Sequence, residues 1–120
     1  MVFGRLPARE EAPTRYFFGL PGNPISAQVT FHCFVEPFLR AIGGESGAKP
    51  RWAQATLLEG EPGKPGITRL LPARMDGIGV KVVGWQGSGD LAANARANCY
   101  AKFLPDKEYR KGEVIRVLLR

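Results

Sequence analysis

The sequence predicts an α+β architecture: a strand–loop–helix unit cut from an α/β domain, followed by a small β-barrel. Three observations carry this. The 120 residues include 15 Gly and 10 Pro, too many breakers for an all-helical bundle. The apolar period is helical from Ile25 to Ile42 and becomes strand-like beyond Pro50. Charge is divided too: residues 1–46 hold four Arg and four Glu, so the entire net charge of +6 lies in residues 47–120. The boundary is therefore drawn after residue 46, with Glu45–Lys49 as linker.

Met1–Leu6 reads as a short strand, residues 7–14 as a polar loop punctuated by Pro7 and Pro13, and Arg15–Leu20 as an aromatic strand. Pro21-Gly22-Asn23-Pro24 stops that strand. Asn23 is a good N-cap and Pro24 suits the first helical position, where a missing N–H is harmless. The helix that follows, Ile25–Ile42, carries two apolar stripes: Ala27, Phe31, Phe34, Phe38 and Ile42 on one side, Ile25, Val29 and Cys33 on another. Such a helix needs burial on more than one side. Pro37 is expected to kink it and Gly43-Gly44 to end it. Two strands and one helix cannot bury both stripes, so residues 1–46 are expected to be the end of a larger α/β domain and to expose apolar surface. Beyond the linker, strands are expected at Trp52–Leu58, Thr68–Ala73, Val80–Trp85, Asn98–Leu104 and Val114–Leu119, spaced like a small barrel. A helical turn, Ser88–Ala95, capped by Ser88, interrupts them.

Composition excludes several classes. At 44% hydrophobic and 23% charged residues, the chain is neither a disordered tail nor one with the roughly 18-residue apolar run of a membrane helix. Met1–Arg5 lacks a signal-peptide core, so a soluble cytoplasmic protein is expected. Cys33 and Cys99 are too few for a disulfide framework and read as buried reduced thiols. With one histidine, His32, no ordinary structural zinc site can form. The positive balance suits anionic partners.

Three places could hold such a partner. The Leu20–Ser26 turn runs from a strand into a helix N-terminus, where backbone N–H groups, Gly22 and the Ser26 hydroxyl suit an oxyanion; the same residues also make an ordinary cap. Gln86-Gly87-Ser88-Gly89-Asp90 is an anion nest or a plain Gly-rich loop. Arg69 and Arg74 flank one strand near Lys64, five positions apart and hence on opposite faces, so they read as solvated edge residues unless Arg69 is a ligand. His32, Ser26 and Asp90 are too scattered for a triad. Trp52, Trp85 and Tyr100 could stack bases but fit a core better. No Asp/Glu pair is fixed for a metal.

The run Phe18-Gly19-Leu20-Pro21-Gly22-Asn23-Pro24-Ile25-Ser26-Ala27, with Phe34-Val35-Glu36-Pro37, resembles the signature of the molybdopterin molybdenumtransferase family (MoeA and the gephyrin E domain). Gln86-Gly87-Ser88-Gly89-Asp90-Leu91, Ala97-Asn98 and Lys111-Gly112-Glu113-Val114 are similar to its C-terminal β-barrel. The resemblance implies a C-terminal fragment. Residues 1–46 would be the strand–loop–helix remnant of a MogA-like molybdopterin-binding α/β domain, and residues 47–120 the small C-terminal β-barrel domain. It further implies insertion of molybdate into adenylylated molybdopterin with release of AMP, a magnesium requirement, and a site in a homodimer cleft. By position, Pro21, Gly22 and Asn23 would form the pterin/phosphate loop, while Ser26, Arg69 and Ser88 would face molybdate. Thr68 stands where the family has Gly, and Pro72 where it has Phe. A lysine-bearing Lys-Pro-x-Lys-Pro loop is expected immediately before Met1, with the nucleotide loop and the acidic magnesium ligands further upstream. The partners expected are anionic small molecules and the missing N-terminal domains, with neither nucleic acid nor membrane. On this reading the 120 residues are inactive alone. A rival reading is a non-catalytic basic barrel that binds nucleic acid or a protein.

Overall fold

The computed structural model describes every residue except Glu11, Trp85 and Ser88. Strands β1 (Val2–Leu6) and β2 (Arg15–Gly19) form an antiparallel hairpin in which Phe3 lies opposite Phe18. A long helical segment follows: α1 (Pro24–Thr30), a π-helical turn (Phe31–Val35) and α2 (Glu36–Ile42). The expected kink is a wide turn placed just ahead of Pro37. The Glu36 N–H donates to the carbonyl of Phe31, five residues back. Widening this turn accommodates the proline, which has no N–H and whose ring crowds the preceding carbonyls.

The five remaining strands are β3 (Trp52–Thr56), β4 (Arg69–Met75), β5 (Val80–Val82), β6 (Cys99–Phe103) and β7 (Val114–Leu119), in the order β3-β7-β6-β4-β5 with antiparallel pairing throughout. The expected barrel is a half-barrel. Its two edges meet at one point, where Leu57 bridges Val80 and the Leu58 N–H donates to the Val80 carbonyl at 2.9 Å. Strand β4 runs two residues further than expected, and β5 stops at Val82. The reason is Pro72. The Val83 N–H reaches the Pro72 carbonyl at 2.9 Å, but Pro72 has no N–H to return, so the ladder ends. The helical turn is α3 (Leu91–Arg96), and its cap is Asp90 rather than Ser88: the carboxylate accepts from the Ala93 N–H at 2.8 Å and the Gln86 N–H at 3.1 Å. These bonds hold the Asp90 carboxyl below the usual range.

Strand alternation divides the side chains between two cores. Leu71, Ala73, Cys99, Ala101, Phe103 and Val117 point into the half-barrel. Leu70, Tyr100, Leu118 and Trp52 point outward, and the Ile25–Val29–Cys33 stripe covers them. The second helical stripe meets the hairpin, where Phe38 makes edge contacts with Phe3, Tyr16 and Phe18 at 5.0–5.8 Å. That stripe is only partly covered. Phe34 and Ile42 remain exposed, as do Val2, Leu6 and Phe17 on the hairpin. The molecule is elongated, 58 × 29 × 27 Å with a radius of gyration of 16.8 Å, against about 13.5 Å for a compact chain of this length.

Polar contacts pin the helix to the sheet. The fully buried Tyr100 holds its hydroxyl 2.9 Å from both the Gln28 and Asn94 side-chain amides, joining α1, α3 and β6. Glu36 lies between His32 (2.8 Å) and Arg51 (2.7 Å), the residue just before β3. The His32 hydrogen bond, aided by Arg51, lowers the Glu36 carboxyl. Both cysteines are free. Burial raises the Cys33 thiol and pushes Cys99 up to about 11, as expected of packed thiols.

Two predictions follow from this packing. Tyr100→Phe leaves the buried Asn94 amide and the half-buried Gln28 amide short of a partner and should lower stability by roughly 1–3 kcal/mol in urea unfolding; an unchanged midpoint would show that the hydroxyl contributes nothing. Gly79 sits at the seam, where an added Cβ would lie 2.4 Å from the Thr56 carbonyl oxygen. Gly79→Ala should therefore cost about 1–3 kcal/mol in the same assay.

Candidate functional site

The site is built where α1 passes the start of β4. Register explains the meeting. Ile25 and Val29 face the sheet, so Ser26 and Thr30, each one position on, lie along the flank of the same contact. There they share a cleft of about 360 Å³ with Lys64, Ile67, Thr68, Arg69 and Leu70. Three hydroxyls and two cations rim an apolar floor. Such a lining suits an anion that carries a flat organic body.

Ser26 and Arg69 are thus brought together by the fold. Pro21, Gly22 and Asn23 sit just before the cleft, at the β2–α1 turn, and are not in its lining. The cap there is tighter than an open anion site requires. The Asn23 side chain accepts from the Ser26 N–H at 3.3 Å, and Pro24 has no N–H to offer. Of the first three helical residues, only Ile25 keeps an N–H outside the cap. The Ser26 hydroxyl, rather than a ring of backbone amides, is the donor presented. An added Cβ at Gly22 would meet nothing within 4 Å, so the chain's own packing does not require glycine there.

Arg69 is already engaged. Its Nη1 donates to Glu61 Oε1 at 2.6 Å and its Nη2 to the Pro62 carbonyl at 2.6 Å. The guanidinium carbon lies 5.6 Å from the Phe103 ring centre, while Nε is buried without a partner. Glu61 neutralises most of its charge. Lys64 makes no ion pair among the described residues, which leaves it as the available cation of the cleft. Arg74 lies elsewhere on β4 and lines a separate pocket, as opposite strand faces require. Ser88 lies outside the described residues.

Sequence reasoning passed over Thr30 and Thr68 and gave Lys64 no role of its own. The signal for Thr30 was its place four residues after Ser26, on one helical face. No nucleophile–base pair lines the cleft among the described residues. Among the described residues no three His, Cys, Asp or Glu side chains converge, so they supply no donor set for the magnesium implied above. No described helix is long and apolar enough to cross a membrane. Of the aromatics considered for base stacking, Tyr100 is fully buried, Arg116 and Lys102 lie 4.6 and 5.5 Å from the Trp52 ring centre, and Trp85 lies outside the described residues.

Comparison with known proteins gives the family of the chain. Residues 54–119 match the MoeA C-terminal region (domain IV). Over 91 residues the chain is 36% identical to molybdopterin molybdenumtransferase of Haemophilus influenzae, covering 71% of this chain and 22% of that protein. A 30-residue stretch is 63% identical to the molybdenum cofactor synthesis protein cinnamon of Drosophila melanogaster, covering 25% of this chain and 5% of that protein. Among solved structures, a molybdopterin biosynthesis MoeA protein from Pyrococcus horikoshii superposes with a TM-score of 0.68 at 25% identity, over 82% of this chain and 26% of the other. A molybdenum cofactor biosynthesis protein from Pyrococcus furiosus gives 0.65 at 27% identity, over 82% and 36%. The chain therefore spans about a quarter to a third of the structures it resembles. The family match covers more than half of the chain and takes in strands β4 to β7 of the half-barrel with most of β3, so this chain belongs to the MoeA C-terminal region (domain IV) family.

Proposed function

We propose that the chain supplies the C-terminal part of an enzyme of molybdenum-cofactor biosynthesis, which inserts molybdate into adenylylated molybdopterin with release of AMP. On this reading residues 1–46 are the end of a MogA-like molybdopterin-binding domain and residues 47–120 the C-terminal half-barrel of a cytoplasmic homodimeric enzyme. The observation that carries it is the cleft between α1 and β4, where Ser26, Thr30 and Thr68 hydroxyls and the Lys64 ammonium stand over an apolar floor. The exposed Val2, Leu6 and Phe17 side chains support the division of the chain, because an apolar hairpin face of this kind belongs inside a domain.

The chemistry asked of the protein is positioning and charge stabilisation. Molybdate is a dianion and adenylylated molybdopterin carries phosphate charge. The thiolates that receive molybdenum belong to the substrate, so the protein needs no nucleophile of its own. Ser26 and Lys64 would hold the oxyanion. Arg69 would join them by exchanging Glu61 for the ligand, and Pro21, Gly22 and Asn23 would flank the pterin/phosphate side. Ser88 keeps the molybdate role that the resemblance implies for it.

Titration of the chain with molybdate by calorimetry tests this. Ser26→Ala and Lys64→Ala should each weaken binding about fivefold or more, the loss of one hydrogen bond or charge contact. Unchanged affinity in both would remove the cleft from the reading. Steeply salt-dependent binding of single-stranded DNA, with no molybdate response, would favour the binding-module alternative.

The Arg69–Glu61 pair gives a second test. Arg69→Ala leaves a mostly buried carboxylate unpaired and should cost about 2 kcal/mol of stability. Glu61→Gln releases the guanidinium and should tighten molybdate binding several-fold; weaker binding instead would make Arg69 purely structural.

A further inference from the structure

Lys64 owes its place at the cleft to a turn far along the chain. It sits in residues 59–68, which form no strand. Five of those ten residues are Gly or Pro, so the segment cannot build a ladder of its own. Its order comes from the turn between β6 and β7. The Glu61 N–H donates to the Tyr109 carbonyl at 2.9 Å, and the Tyr109 N–H returns a bond to the Glu61 carbonyl at 3.0 Å. Further along, the Asp106 N–H donates to the Lys64 carbonyl at 3.1 Å. The segment is thus fastened to the turn at Glu61 and again at Lys64.

Two backbone features make this fastening possible. Asp106 has a φ of 58°, in the left-handed region that most side chains avoid, and it is the only non-glycine residue at positive φ among the described residues. Gly63 lies so close to the turn that an added Cβ would sit 3.1 Å from the Lys107 carbonyl carbon and 3.2 Å from the Glu108 nitrogen. Both are backbone atoms and cannot rotate aside. The turn is itself well held. Tyr109 is buried, its hydroxyl accepts from the Leu104 N–H at 3.0 Å, and Lys107 pairs with Glu113 at 2.9 Å.

Both fastenings reach the cleft. Glu61, held through its backbone by Tyr109, holds Arg69 through its carboxylate. Lys64, held through its backbone by Asp106, lines the cleft as a cation, whereas Asp106 is not in the lining. A lysine side chain is long and mobile, so an anion loses less freedom in meeting it when the backbone beneath is already fixed.

We infer that Asp106 is a positioning residue for the cleft. Its N–H, aimed by the left-handed turn, sets the backbone from which the Lys64 ammonium reaches the anion, and Gly63 permits the approach. This role rests on the molybdate reading proposed above.

Calorimetric titration of the 120-residue chain with molybdate tests it, with urea midpoints measured on every variant. Asp106→Pro removes both the N–H and the positive φ and should weaken binding about threefold or more. Asp106→Gly keeps both and should bind within about twofold of the parent chain. Gly63→Ala pushes the segment off the turn while leaving the turn's own residues in place. It should also weaken binding about threefold or more, and it carries the test alone if Asp106→Pro does not fold. In a Lys64→Ala background neither substitution should weaken binding further, because the effect passes through Lys64. The positioning role is overturned if either variant, folded, binds like the parent chain. It is also overturned if Asp106→Gly loses as much as Asp106→Pro, or if the losses persist without Lys64. A parent chain that binds no molybdate would overturn the functional reading, and this role with it.

Discussion

The packing of α1 across the convex face of the half-barrel is the constraint on which the rest depends, and the Tyr100 hydroxyl is its centre. A buried phenol must find partners. Here it finds them on two other elements, Gln28 of α1 and Asn94 of α3. The apolar stripe Ile25–Val29–Cys33 would hold the helix to the sheet without it, because burial is the larger energy. Burial alone does not fix rotation or sliding, whereas a hydrogen bond between named atoms does. Once α1 is set at that angle, Ser26 and Thr30 can face only the start of β4. The cleft is thus a by-product of how the helix is seated.

Charge follows the same logic. Among the described residues most carboxylates are already in use. Glu36 ties the helix to the approach to β3, Glu61 holds Arg69, and Asp76 and Asp90 close a turn and cap a helix. The excess of cations is therefore local rather than diffuse. Lys64 is left at the α1–β4 cleft, whereas Arg74 and Arg96 have the Asp76 and Asp90 carboxylates in electrostatic reach. A net charge of +6 spread over a surface would say little about partners.

Much of this was legible in the residues. The two helical stripes correspond to two real contacts, one with the sheet and one with the hairpin. The change of period at Pro50 marks the half-barrel, and Arg69 and Arg74 lie in different pockets as their spacing requires. What could not be read depended on partners distant in the chain. The cap on α3 went to Asp90 because a carboxylate can take two N–H groups where a hydroxyl offers less. Glu61 gave no sign of binding Arg69, since the pair forms only when the turn after β3 meets β4. The rolled sheet closes at a single bridge, and strand spacing alone does not distinguish that from a full barrel.

Pro72 has an effect beyond ending β5. Sheet edges are templates on which other chains can grow, and proteins blunt them by shortening strands, placing lysine there, or covering the edge. By cutting β5 to three residues, one of them Lys81, and leaving Val80 to bridge Leu57, this proline removes the long row of open amides that an edge-to-edge contact between two copies would need. Pro72 thus becomes a guard against edge-to-edge association. The residue that looks least suited to a β-strand is the one that keeps the sheet to itself.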